Sequence, residues 1–157
     1  MPPRPNSTTE LNLVVDRAAH KITFTREVAG SREQVFAAWT QPEQVSVWWD
    51  PWGAPLAECQ IDLRPGGAFK FVNQEASGAQ TFAGVYREIA PPGRLEFAAM
   101  GAVGTVLLED VDGCTQLTVT IACASAEHLD QFLQMGVADG TAHTLDNLVA
   151  FMASKRG

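Results

Sequence analysis

Basic charge is what this chain has least of. Lysine and arginine number 11 against 18 aspartates and glutamates, giving a net charge of −7 and a pI near 4.8. A phosphate backbone or an anionic bilayer surface attracts a basic patch, so neither nucleic acid nor a membrane is an expected partner. Long apolar runs are missing too, and the opening Met1-Pro2-Pro3-Arg4-Pro5 is polar and proline-rich. That leaves no membrane span and no signal-peptide core. Residues 1–10 are expected to form a disordered tail. Cysteine is scarce: Cys59, Cys114 and Cys123 are odd in number and form no C-x-x-C pair. They read as reduced thiols of a cytoplasmic protein, serving as small core hydrophobes. The chain has no H-E-x-x-H, no nucleophile elbow, no G-x-G-x-x-G and no internal repeat. A metal site would need three or four ligands converging from distant strands, so no metal and no cofactor is expected.

What is present is a core. Of 157 residues 46% are hydrophobic, enough for one domain, placed at residues 11–157. The C-terminal part organises the rest. Leu129, Phe132 and Leu133, then Leu145, Leu148, Val149 and Met152, recur mostly at spacings of three and four, the mark of one apolar helix face. Ser125 is a candidate cap. Gly136 and Gly140 interrupt the pattern, which predicts a short helix near 126–134 and a main one from about 138 to 154.

Ahead of it lie strands. Leu11–Val15 reads as a short strand or packing arm. In His20–Ala29, Ile22, Phe24 and Val28 alternate with polar residues, although Arg26 stands in the apolar row. Ser31 and Gln34 form a capping box for a helix that buries Val35, Phe36 and Trp39. Pro42 opens a second short helix carrying Val45, Trp48 and Trp49. Strands follow at Leu56–Leu63, Ala68–Gln74, Gln80–Ile89, from Leu95 onward, Val103–Val111 and Thr115–Cys123. The turns fall at Arg64-Pro65-Gly66-Gly67, Ala76-Ser77-Gly78, Pro91-Pro92-Gly93 and Asp112-Gly113, the last suited to a type I′ hairpin. This is an antiparallel meander with one apolar face, which a helix with one apolar stripe would cover. The glycines after Arg64 read as turn geometry, since an anion cradle would need a following helix or free N–H groups.

Five stretches, Val35–Glu43, Trp48-Trp49-Asp50-Pro51, Asp62–Gly67, Gly84–Ile89 and Pro91-Pro92, occur in this order. Together they resemble the family of activator of heat-shock-protein-ninety ATPase homologues in its single-domain bacterial form, within the START-like and birch-pollen-allergen-like helix-grip superfamily. The resemblance runs from about Thr23 to Met152. Three features depart from the family pattern: Asp50 in place of glycine, Val137 in place of an aromatic, and a short connection at Ala98–Gly104. The resemblance implies an α+β helix-grip fold, a curved antiparallel sheet and two short helices around a long C-terminal helix, with an apolar cavity between. It also implies binding of a small apolar or amphipathic molecule. Superfamily enzymes, such as cyclases and hydrolases of aromatic or polyketide-like substrates, and stress-linked co-chaperones are the alternatives. The eukaryotic co-chaperones carry a further N-terminal domain, for which no room is expected before residue 20. Family habit allows a homodimer.

Candidate cavity residues are Trp48, Trp49, Trp52, Phe69, Phe71, Phe82, Phe97, Met100, Phe132, Met135, Gly136 and Gly140. Each has a plain reading as core packing. Trp48 and Trp49, about 100° apart on a helix, cannot fill the same space, so one is expected to anchor and the other to face the cavity. The two glycines either let the sheet approach or leave room for a ligand. Asp139, His143 and Asn147 share one helix face, read as a solvated polar stripe or as an oriented imidazole. No catalytic pair is picked out among His143, Asp139, Glu58, Asp62 and Tyr86. Arg26, Glu58, Asp62, Tyr86 and Arg87 sit on strands whose parity is open. Arg87 and Glu88, being adjacent, are expected on opposite faces, so only one can be inside.

Overall fold

The computed structural model describes residues 13–50, 54–74 and 81–156. Eight strands make one antiparallel sheet: β1 (Leu13–Asp16), β2 (Lys21–Ala29), β3 (Glu58–Ile61), β4 (Ala68–Val72), β5 (Thr81–Ala90), β6 (Arg94–Ala99), β7 (Ala102–Val111) and β8 (Cys114–Ala122). Their order across the sheet is β1-β2-β8-β7-β6-β5-β4-β3. Every neighbouring pair is antiparallel, and the chain crosses the sheet once, between β2 and β3. That crossing carries two helices, α1 (Arg32–Thr40) and α2 (Pro42–Trp48). After β8 come α3 (Ala126–Gln134) and the 20-residue α4 (Val137–Arg156). This is the α+β helix-grip arrangement expected from the sequence.

Local chemistry sets the element ends. Ser31 Oγ accepts from the Gln34 N–H at 3.2 Å while Gln34 Oε1 accepts from the Ser31 N–H at 2.9 Å, so the box caps α1. Pro42 starts α2 at the price of a missing N–H. Ala38 O, whose partner four residues on would have been that N–H, accepts instead from the indole Nε1 of Trp48 at 3.1 Å. Two-residue hairpin turns close β7–β8 at Asp112 (φ 49°) and Gly113 (φ 83°), and β6–β7 at Met100 (φ 56°) and Gly101 (φ 79°). Both dihedral pairs are of the primed kind that matches strand twist. Ser125 caps α3 through the His128 N–H, and Gly136 at φ 82° turns α3 into α4. In the Arg64–Gly67 turn the glycine N–H groups are already used, Gly66 on Tyr86 O and Gly67 on Arg64 O, both at 2.8 Å. No anion cradle is left there.

The sheet's inner face packs on α4 and on the two short helices. Ile22, Phe24 and Val28 of β2, Leu117 of β8, and Leu145, Leu148 and Met152 of α4 are all essentially buried. Arg26 stays in that inner row. Its guanidinium donates through Nε to Asp146 of α4 at 3.3 Å and through Nη1 to Thr25 O at 3.0 Å, which offsets the cost of burying the charge.

Three expectations need correction. Arg87 and Glu88 are both exposed, because the register shifts between Tyr86 and Glu88 and the bulge resets the alternation of β5. They pair outside, Arg87 with Glu96 at 3.4 Å and Glu88 with Arg94 at 2.7 Å. The cysteines form no disulfide and are only half-buried, Cys59 and Cys123 packing against the edge of the core and not within it. Asn147 is not part of a solvated stripe: its amide donates to Asp50 O at 2.9 Å and reaches Trp48 O at 3.5 Å. With Thr144 Oγ1 donating to Trp49 O at 2.9 Å, α4 thereby satisfies carbonyls at the end of α2 that have no helical partner. The tail at 1–10, Trp52 and the Ala76-Ser77-Gly78 turn lie outside the described residues.

Candidate functional site

Between the sheet and α4 lies a cavity of about 540 Å³. Its floor is Trp39 of α1 with Trp49 at the end of α2. Its sheet wall is Phe82, Phe97, Ala99, Gly104, Val119 and Ile121, and its helical wall runs from Phe132 through Gly136 and Gly140 to Thr144 and Leu145. Strand alternation explains the wall. Gly104, Val119 and Ile121 sit in the inward rows of β7 and β8. A side chain at Gly104 would meet the Phe97 ring at 2.6 Å, so the glycine is what lets that ring lie across the neighbouring strand. Asn73, Thr81, Met100 and Met135 ring the mouth, with Met100 50% and Met135 63% exposed.

Behind the cavity is a recess of about 20 Å³ walled by Val45, Phe69, Phe71, Tyr86 and Leu95. Trp39, Trp49, Phe82 and Phe97 line both hollows. The rings form one cluster. Phe69 has its centroid 5.1 Å from Tyr86 and 5.5 Å from Phe97, and Trp49 lies 4.8 Å from Phe71 and 5.1 Å from Phe82. Such edge and tilted contacts fix ring orientation beyond simple burial.

The structure thus gathers Trp49, Phe82, Phe97, Met100, Phe132, Met135, Gly136 and Gly140 at the main cavity, and Phe69 and Phe71 at the recess. Trp48 does not belong to either wall. It is 1% exposed, in edge contact with Trp39 at 4.9 Å, and anchors α2 to α1. Neither glycine brings the sheet close, since a Cβ at Gly136 or Gly140 would meet nothing within 4 Å. Both leave space.

Sequence reasoning missed Trp39, assigned to plain core, and the small residues Ala99, Ala102 and Gly104. It also gave no role to His128. Its Nδ1 accepts from the Ala124 N–H at 3.0 Å, so the ring proton lies on Nε2, 3.2 Å from Met100 O, and the ring meets Phe132 edge-on at 4.5 Å. It ties the β6–β7 turn to α3 beside the mouth. The only sequence signal was that Met100 and Phe132 were both named as cavity candidates.

The titratable candidates do not converge. His143 is exposed with Nδ1 2.9 Å from Asp139 O, a helix carbonyl and not the carboxylate. Glu58 pairs with Lys70 at 3.6 Å and Asp62 with Arg64 at 2.9 Å on the outside. Tyr86 alone reaches the recess, and burial, followed by the neighbouring Cys59, holds its phenol protonated well above the usual range. Burial and the Glu43 carboxylate push the Cys59 thiol up to about 11. About one Cys59 in a thousand is therefore thiolate at pH 8. Alkylation by iodoacetamide, followed by peptide mass spectrometry, should run roughly two hundredfold slower at Cys59 than at an unperturbed thiol of pKa ~8.5, and still rise beyond pH 9. A plateau by pH 9 would contradict this environment. Among the described residues no three His, Cys, Asp or Glu side chains group as metal ligands, and no helix is long and apolar enough to cross a membrane.

Comparison with known proteins agrees with this architecture. A structure from Nitrosomonas europaea superposes with a TM-score of 0.78 at 21% identity, covering 87% of this chain and 96% of its own. One from Rhodobacter sphaeroides gives 0.75 at 25% identity over 87% and 93%. An AHSA1-like protein from Aeromonas hydrophila gives 0.72 at 22% identity over 86% and 93%. None of the curated proteins compared matches. The sequence pattern of the activator of Hsp90 ATPase homolog 1-like proteins matches residues 29–153, from the end of β2 through the buried face of α4. With the sheet, the two bracing helices and the gripped helix all in their places, the chain belongs to the activator of Hsp90 ATPase homolog 1-like family.

Proposed function

We propose that this protein binds one small, uncharged apolar or amphipathic molecule in the cavity between sheet and α4, and does not transform it. The observation that carries the reading is the character of the wall. The cavity, at about 540 Å³, is within the range of small-molecule pockets, and none of the described residues that line it is Asp, Glu, Lys, Arg or His. A charge taken into such a site would lose its hydration with nothing in return. The polar groups at the rim, Asn73, Thr81 and Thr141, suit the hydroxyl or amide end of an amphipathic ligand. Acid–base catalysis needs two positioned groups, and the described residues of the wall supply no such pair, so the binding reading stands ahead of a cyclase- or hydrolase-like one. Three cysteines outside any disulfide fit a reducing, cytoplasmic setting.

N-phenyl-1-naphthylamine, a neutral fluorophore, tests this. Its emission should rise on mixing with the purified chain, with a Kd on the order of 10 µM. At ten times Kd the melting temperature should increase by about 4 °C. No emission change and no thermal shift at probe saturation would sink the proposal.

A further inference from the structure

Two side-chain nitrogens among the described residues are buried without a hydrogen-bond partner, Arg32 Nε and Trp39 Nε1. Arg32 Nε is balanced by an ion pair, 3.1 Å from Asp110 Oδ2. Trp39 Nε1 has no such company. Its neighbour in edge contact, Trp48, shows what an indole N–H ordinarily does when buried: it donates to a carbonyl, here Ala38 O at 3.1 Å. A buried donor without an acceptor is expensive to keep in a folded protein. This one belongs to a side chain that is 7% exposed and lines both the cavity and the recess behind it.

We propose that Trp39 Nε1 is the specificity-determining donor of the cavity, and that the bound molecule carries an uncharged acceptor oxygen, of a ketone, ester or ether, that reaches it at the recess. The inference rests on the binding reading above and adds to it the chemical class of the deep end of the ligand. At about 20 Å³ the recess has room for one oxygen-sized group. Its surroundings reject an anion. Tyr86 and, on the strand paired with Phe71, Cys59 are both held in their neutral forms by burial, and among the described residues no cationic side chain lines either hollow. A carboxylate placed there would be buried unpaired, whereas a carbonyl oxygen would gain the indole N–H at no charge cost.

Calorimetric titration of the full chain with two compounds of one shape tests this. They are 2-acetylnaphthalene and 2-isopropenylnaphthalene, which differ in C=O against C=CH2. In Trp39→Phe the preference for the ketone over the alkene should fall about tenfold relative to the unsubstituted protein. 2-Naphthoate should bind the unsubstituted protein at least about tenfold more weakly than the ketone. If circular dichroism shows that Trp39→Phe does not fold, β-(3-benzothienyl)alanine at position 39 keeps the ring shape and removes only the N–H. An unchanged ketone preference, which is also what a resident water on Nε1 would produce, overturns the proposal while leaving the cavity reading intact. Naphthoate binding as tightly as the ketone overturns its uncharged part. Failure of both neutral compounds to bind the unsubstituted protein removes the cavity reading, and the donor's role with it.

Discussion

Replacing Trp48 by alanine is expected to destabilise the protein by about 5 kcal/mol. The side chain is 1% exposed and packs between Trp39 and Trp49, with ring centroids at 4.9 and 5.8 Å. Truncating a buried tryptophan costs about 3–5 kcal/mol through lost contacts and the void left behind. A second loss follows from proline. Because Pro42 has no N–H to give, the Trp48 indole is the donor that satisfies Ala38 O. Alanine would leave that carbonyl buried and unpaired, for about 1–3 kcal/mol more, partly relieved if water enters the gap. A domain of this size holds only about 5–15 kcal/mol in all, so the variant should sit at the edge of folding. Urea denaturation followed by circular dichroism measures it. Trp48→Phe, which keeps one aromatic ring but loses the five-membered ring with its donor, should recover part of that loss. A loss below about 2 kcal/mol for the alanine variant would mean that α1 and α2 do not depend on this anchor.

Gly140→Leu should separate binding from stability in the opposite sense. Gly140 lies inside α4, lines the cavity, and a Cβ there meets nothing within 4 Å. The unliganded protein should gain up to about 1 kcal/mol, because leucine is the better helix former and has somewhere to go. The same side chain occupies space that the ligand needs. Overpacking of about 2 kcal/mol translates into about thirtyfold weaker binding of N-phenyl-1-naphthylamine. Fluorescence titration and thermal melting of the same sample read both effects. Unchanged affinity would make α4 a lid over a core with no ligand space at this point. A loss of stability would mean that the opening beside Gly140 closes in solution.

The readings that survived contact with the structure share a physical basis: their cause lies within a few residues. The Ser31–Gln34 box, the Pro42 start and the Asp112-Gly113 turn each depend on neighbours in sequence, and each forms as expected. The apolar stripes of α3 and α4 were equally legible, since one helix face against one sheet face is a matter of period alone. Where the period breaks, the reading broke too. Arg87 and Glu88 both face water because one bulge shifts the register of β5, and nothing in Tyr86-Arg87-Glu88 announces a bulge.

The cavity wall divides along the same line. Aromatic residues on strands, and methionines near turns, could be named as wall candidates from type and position, and most lie on it. Trp39 could not be separated from Trp48, because both sit on apolar helix faces with identical chemistry. Only the crossing of α1 over α2 puts one against a carbonyl and leaves the other bordering empty space. Asn147 shows the same limit. Its helix face was readable, but that the end of α2 would present Trp48 and Asp50 carbonyls to it was not. The sequence by itself determined the elements, their caps and their buried faces, because short-range sterics and hydrophobic period are written residue by residue. Tertiary structure alone decided which buried groups would find partners and where the two layers would fail to meet. Hydrogen-bond satisfaction and empty volume are properties of elements brought together from opposite ends of the chain.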